Sequence, residues 1–427
     1  MNKRLSFLSF LALFSLVACS KPGGNTGKVK VTFDLCNGDP NVVVDINKGS
    51  KITEQPTASK YGCNFLSYQK DKKDFDFNTP INEDTVLKAH YEYNADELFK
   101  LRDNPEKRHD DTANLRVMSF NMLVSVYQET GGVKPKHHGT DPTNAEYSKE
   151  IDDGRDYQAF RTIQRYLPDI IGIQECDETD DEKKRMPDKD YGWYEAFEKY
   201  QAKHSDFHYK IINADKHRTK IEDVEHCVYS TIAYNTDKIT LDEESGEPCY
   251  GTRLSEFSDN DNCRYLTWAK FHTNDSSKHF IVTSTHWNLS RTCTEEARIA
   301  QARESALLTI GKQAHYSGIP VITTGDYNQK DFGKPYMAFL ESSGYKDSKY
   351  DAAKRGFVNA SYHLGEGVGK ENYRTKGSVL RNNPDDTATI DHIFLSPNVK
   401  CHYYDIITEE DAVYSSDHLP SYVDVTI

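Results

Sequence analysis

Two patterns of apolar and polar positions divide this chain. Between Lys28 and about Asn94 the apolar residues alternate in short bursts, "VKVTFDL", "NVVVDI", "CNFLSYQ" and "TVLKAHYEY", parted by turn residues. That period predicts a small β-rich module. A charged stretch, "ADELFKLRDNPEKRHDDTA", reads as a linker over 95–113. From 114 to 427 apolar strands alternate with amphipathic helices, which predicts an α/β domain. "RDYQAFRTIQRYL" sets Tyr157, Phe160, Ile163 and Leu167 on one helical face before Pro168 stops the helix. "TEEARIAQARESALLTIGKQA" has Thr294 as N-cap, acids in its first turn, and Ile299, Ala302, Ala306 and Ile310 on one face.

The strands share a habit at their ends. "LRVMSFN" finishes in Asn121, "DIIGIQE" in Glu175, "FIVTSTH" in His286, and "VITTGD" in Asp326 with Asn328 just after it. "ATIDHIFLS" puts Asp391 at a strand start, and "SSDHLPSYVDV" does the same with Asp417 and His418. Each has an ordinary explanation, because Asp and Asn begin turns and a single His is usually a satisfied structural residue. Their recurrence at strand edges in one ordered series points to a shared site.

Composition changes this picture in three ways. With 427 residues and 37% hydrophobic positions, the chain has ample length for a core and carries long polar loops. A formal net charge of -14 disfavours a protein that coats polyanions, since that needs clustered Lys and Arg. The opening "MNKRLSFLSFLALFSLVACS" has a basic start and an apolar stretch too short to span a bilayer, which reads as an export signal over residues 1–19. Leu16-Val17-Ala18-Cys19 resembles a bacterial lipoprotein box, implying cleavage before Cys19 and lipidation of its sulfur; an ordinary secretory signal is the alternative. A flexible tether over 20–27 follows. Of the 9 cysteines, those other than Cys19 permit local pairs, Cys36 with Cys63 and Cys249 with Cys263, or free buried thiols.

The motifs "MSFNML", "PDIIGIQE", "THWN", "GDYN", "IDHIFLS" and "SSDHLPSYVDV" together resemble the endonuclease/exonuclease/phosphatase superfamily over about Asn114 to Ile427. That resemblance implies a four-layer sandwich, two packed mixed β-sheets flanked by helices, and a metal-dependent phosphoester hydrolase site at one rim. It implies Glu175 as principal Mg²⁺ ligand with Asn121 and Asp417 near it, Mn²⁺ or Ca²⁺ being alternatives; oxygen donors suit such hard ions. It implies Asp326 as the group orienting or deprotonating water, Asn328 as a phosphate donor, His418 as an imidazole oriented by Asp391, and His286 as transition-state donor or general acid. Arg264 falls where such proteins often carry Arg, as a phosphate contact or as a structural partner. His392, by strand alternation, faces away from Asp391 and reads as structural. The basic segments "GVKPKHHG" and "NYRTKGSVLRNN" read as solvated loops.

The N-terminal module, 28–94, resembles the internalin-type B-repeat of bacterial surface proteins, a β-grasp-like unit that serves as spacer or protein contact. Tyr68 stands where that family usually has Trp. The whole then reads as a monomeric, exported phosphoesterase, lipid-anchored in a bacterial membrane on the periplasmic or outer side. Its expected substrate is a small-molecule or lipid head-group phosphoester, with nucleic acid second. A reading from another class is a surface binding protein whose second domain is an inactive scaffold.

Overall fold

The computed structural model describes residues 27–123, 155–175, 193–212, 227–228, 230–242, 252–255, 263–363, 376–385 and 389–427. The signal and Cys19, the "GVKPKHHG" loop, Cys249 and the first four residues of "NYRTKGSVLRNN" lie outside them. The chain divides into two compact units, one holding residues up to 58 and 67–89, the other 59–66 and 90–427. No helix among the described residues is long and apolar enough to cross a membrane.

A five-stranded sheet, most of it in the first unit, is ordered Val42–Asn47, Lys28–Asp34, Thr85–Tyr93, Cys63–Lys70, Lys73–Asp74. Lys28–Asp34 runs parallel to Thr85–Tyr93 and antiparallel to Val42–Asn47. Alternation along these strands buries Val31, Phe33 and Leu87 on one face. Tyr68 is buried with them, edge-on to Phe33 at 4.9 Å, and its hydroxyl donates to the Pro56 carbonyl at 3.0 Å. A tyrosine fits a core when its hydroxyl finds such an acceptor. Cys63 keeps a free thiol, so the expected Cys36–Cys63 pair does not form.

In the second unit two mixed sheets pack face to face. One is ordered Lys354–Arg355, Lys400–Ile406, Ser421–Thr426, Leu115–Asn121, Ile170–Gln174, Ser230–Asn235, Tyr209–Ile211. The other has the path Ile239–Leu241, Cys263–Thr273, His279–His286, Val321–Asp326, Asp391–Leu395, Lys346–Asp347. Val117, Ile170 and Val423 of the first meet Phe280, Val282 and Ile393 of the second in one apolar cluster. The sheets approach closely at Gly172, where a Cβ would stand 1.7 Å from Thr324 Oγ1. Gln174 Nε2 donates to Ser284 Oγ at 3.0 Å across the same gap.

Helices cover both outer faces. Phe160 and Ile163 of the helix Arg155–Tyr166 pack with Phe197 and Tyr200 of Trp193–Lys203 on one side. The helix stops a residue earlier than its apolar spacing predicts: Leu167 turns left-handed, at φ 42° ahead of Pro168, and leaves the apolar face. On the other side Glu295–His315 starts at the Thr294 cap, whose Oγ1 accepts from Ala297 N at 3.3 Å, and buries Ala302 and Ala306. Lys334–Ser343 packs beside it through Phe339.

The charged stretch 95–113 falls within the second unit. Arg116, itself buried, holds Asp424 through Nε at 2.6 Å and Nη2 at 2.9 Å, and donates to the carbonyls of Tyr166 and Lys107. Burial would raise the Asp424 pKa, but bonds from His109 and Arg116 hold the carboxylate well below its usual range. A buried guanidinium is tolerable when its donors are all spent this way.

Candidate active site

The two sheets bring their strand ends to one rim. Asn121 and Glu175 end or follow the parallel neighbours Leu115–Asn121 and Ile170–Gln174. In the facing sheet His286, Asp326 and Asp391 occupy paired register positions on three adjacent strands. Asp326 and Asp391, distant in sequence, thus become side-by-side neighbours through cross-strand pairing.

Asp326 is the meeting point. Its Oδ1 accepts the Asn328 backbone N–H at 2.8 Å, which fixes the carboxylate plane. Oδ2 faces Asn121 Nδ2 at 3.0 Å, His286 Nε2 at 3.3 Å and His418 Nε2 at 3.7 Å. Asn121 Nδ2 also donates to Glu175 Oε1 at 3.1 Å, and its Oδ1 accepts from Leu123 N at 2.9 Å. Burial, with Asp391 and Glu175 nearby, raises the Asp326 pKa to about 7 against the pull of His418.

The histidines differ in charge. His418 Nδ1 bonds Asp391 Oδ2 at 2.8 Å. Burial disfavours its cation, but Asp391, Asp326 and Asp417 outweigh that and raise its pKa well above the ordinary value. His286 is held well below the ordinary value by burial and by the nearby Arg264 guanidinium, and is neutral. Its Nδ1 and Asp391 Oδ1 are buried polar atoms without a hydrogen-bond partner.

The remaining expected positions fall close by. Arg264 is buried and donates from Nε to Asn288 Oδ1 at 3.2 Å. Asn328 gives one side-chain N–H to the Trp287 carbonyl at 2.9 Å. Asp417 belongs to neither three-residue group of converging donors, Glu175–His286–Asp326 or Asp326–Asp391–His418. It and His418 precede their strand, which begins only at Ser421; His418 forms an isolated bridge to Tyr362. Pro420 forbids the ladder earlier.

Some participants carried little signal. Ser416 Oγ donates to the Asn121 carbonyl at 2.7 Å and accepts His418 N at 3.1 Å, so it ties the end of Leu115–Asn121 to the segment that carries His418. It stands inside "SSDH", where only Asp417 and His418 were assigned a role. Ser361 Oγ accepts the N–H groups of Ile390 and Asp391, both at 3.1 Å, and nothing in "NASYH" announces it. Glu175 sits at φ 56° and Asn328 at φ 49°, left-handed conformations that cost energy, more so for Glu than for Asn. Both left-handed positions flank the carboxylate cluster.

A divalent cation fits this donor set. Among the described residues the four acids Glu175, Asp326, Asp391 and Asp417 outnumber the cations near them, the His418 imidazolium and the Arg264 and Arg298 guanidinium groups. Hard oxygen donors from two sheets converge there.

Among solved structures, an endonuclease/exonuclease/phosphatase from Bacteroides vulgatus is 21% identical, covering 73% of this chain and 98% of its own, with a TM-score of 0.49. A mannosyl-6-phosphatase from Bacteroides thetaiotaomicron is 19% identical over 73% and 100%, with a TM-score of 0.47. The human Nocturnin catalytic domain with bound sulfate is 19% identical over 73% and 94%, with a TM-score of 0.43. No curated protein matches. Residues 119–418, which span the rim from Ser119 to His418, match the Endonuclease/Exonuclease/phosphatase family, and the chain belongs to it.

Proposed function

We propose that this chain is a divalent-metal-dependent phosphoester hydrolase, exported and held at a bacterial membrane through a lipid on Cys19. The observation that carries the catalytic part is the convergence of Asn121, His286 and His418 on the single oxygen Asp326 Oδ2. Glu175, with Asp326 and Asn121 beside it, is the group that would hold Mg²⁺, which supplies charge neutralisation at the phosphate oxygens. Asp417 is the further acid within electrostatic reach of His418.

The chain's own residues account for the proton movements. Asp326, with its raised pKa, suits a base that takes a proton from water near neutral pH. His418, cationic and fixed at Nδ1 by Asp391, presents Nε2–H to a negative phosphoryl oxygen. Neutral His286 donates through Nε2 and does not serve as the acid in this state. Arg264 favours phosphate binding through its charge while keeping His286 neutral.

The substrate proposed is a small-molecule or head-group phosphoester, because a chain at -14 is poorly suited to the many phosphate contacts of a polymer. The test is phosphate release from sugar, inositol and lipid phosphoesters with Mg²⁺ and with chelator, beside plasmid nicking. Chelator-sensitive release supports the reading. Efficient nicking that weakens steeply with salt, with the small esters inert, replaces it with a nuclease. Hydrolysis indifferent to chelator overturns the metal role, and an unlipidated Cys19 in soluble native protein overturns the anchor.

A further inference from the structure

The strand His279–His286 carries histidine at both ends. His286 belongs to the rim just described. His279 begins the strand, about 23 Å away at roughly 3.3 Å per residue, and faces a separate group.

His279 and His272 are directly opposed across the antiparallel hairpin, with ring centroids 5.3 Å apart. Asp242 follows the strand Ile239–Leu241 and is pinned there by its N–H, which donates to the Lys270 carbonyl at 2.9 Å. Its Oδ2 lies 3.4 Å from His279 Nδ1. One ligating atom from each of Asp242, His272 and His279 lies within 4.8 Å of the others. His272 Nδ1 is buried and makes no hydrogen bond. The His279 side chain is 45% exposed, which leaves the group open to solvent.

We propose that Asp242, His272 and His279 form a second metal site, selective for a borderline transition ion such as Zn²⁺, which clamps the end of Ile239–Leu241 to the hairpin. Two imidazoles and one carboxylate suit Zn²⁺, with water completing its coordination on the exposed side, whereas Mg²⁺ prefers oxygen donors. The rim group Glu175–His286–Asp326 has two carboxylates to one imidazole, the reverse of this site, so the rim leans further towards hard ions. Lys270 is the internal competitor: its ammonium pairs with the same Asp242 oxygen and lies 5.0 Å from the centre of the Tyr316 ring. Binding of the ion displaces that ammonium towards the ring face, where a cation remains favourable.

The test is calorimetric titration of Zn²⁺ into the full chain at neutral pH, with saturating Mg²⁺ present to hold the rim, followed by thermal melts. The wild type takes up one equivalent of Zn²⁺ and melts higher with it. His272→Ala and His279→Ala each lose that equivalent and the shift in Tm, while Mg²⁺-dependent hydrolysis stays unchanged. Lys270→Met removes the competing charge and tightens Zn²⁺ binding by about tenfold. Equal Zn²⁺ uptake by the wild type and His279→Ala overturns the proposal, as does a Lys270→Met protein that binds no tighter. Should His272→Ala fail to fold, the half-exposed His279→Ala decides alone.

Discussion

The strand Asp391–Leu395 begins with an Asp-His dipeptide whose two members enter different carboxylate-imidazole pairs. Asp391 holds His418 at the rim, whereas His392 turns the other way and bonds Asp347 through Nδ1 at 3.1 Å and the Gln329 carbonyl through Nε2 at 2.8 Å. Both imidazoles are buried, and both have raised pKa values. A raised pKa therefore does not separate function from structure. Closure does. Both neighbours of His392 are acceptors, so both ring nitrogens carry protons and both are spent. Lys349 balances Asp331 at 3.1 Å, so two cations face two carboxylates, and Tyr336 caps Asp347 at 2.9 Å. At the rim the acids outnumber the cations among the described residues, and His418 Nε2 faces Asp326 at a loose 3.7 Å. The His392 network balances its charges, although Asp331 Oδ1 makes no hydrogen bond; a charge-balanced network specifies a fold, whereas one that leaves charge over recruits a ligand.

The largest effect that tests this contrast is Glu175→Gln. The amide keeps shape and removes one of the surplus charges, and turnover is expected to fall on the order of 10³-fold with little change in Tm. Steady-state hydrolysis over a range of Mg²⁺ concentrations checks it; a variant of wild-type rate would show that the surplus is incidental. Next come Asp391→Ala and His418→Ala, each expected to cost on the order of 10²-fold in turnover, with the double variant little worse than either. Multiplying losses would mean that the pair at 2.8 Å does not act as one unit.

How far the rim was legible follows from the same contrast. Asn121, Glu175, His286 and Asp326 end apolar runs, so the strand pattern that predicts the sheets also predicts their convergence. His392 facing away from Asp391 follows from strand alternation alone. The partners of His392 were not legible. Asp347 and Lys349 stand in "YKDSKYDAAK", which reads as a solvated surface, yet both are buried. Charged residues enter a core only when they find each other, and sequence spacing does not report that. The sequence places Asp417 and His418 at a strand start in "SSDHLPSYVDV", but the strand begins only at Ser421, after Pro420. The same delay lets His418 turn towards Asp391.

The reverse experiment, at the closed network, should move stability and spare chemistry. His392→Ala leaves Asp347 without its ring donor and frees the Gln329 carbonyl, and is expected to destabilise the fold by about 2–4 kcal/mol in urea denaturation. Turnover measured well below the lowered Tm should change less than about threefold, because His392 touches no group of the rim. A loss as large as that of His418→Ala would mean that the two networks are one.

The smallest effect expected is a pH dependence. Burial opposes charge on His392, yet Asp347, Asp331 and the Gln329 carbonyl raise its pKa above the 6.5 of a free imidazole. A group raised on folding binds its proton more tightly in the folded state, so its contribution is complete below about pH 6.5 and is lost as pH climbs through the folded value. His418 imposes a slope of the same sign, so the wild-type curve alone does not isolate His392. The difference between wild type and His392→Asn does, because the amide cannot titrate and His418 is common to both. Urea midpoints taken from about pH 6 to about pH 9 should show the wild-type advantage largest at the acid end and shrinking steadily towards the alkaline end. An advantage that stays constant across that range would mean that His392 is neutral in the folded protein, and the balance of two cations against two carboxylates would then fail.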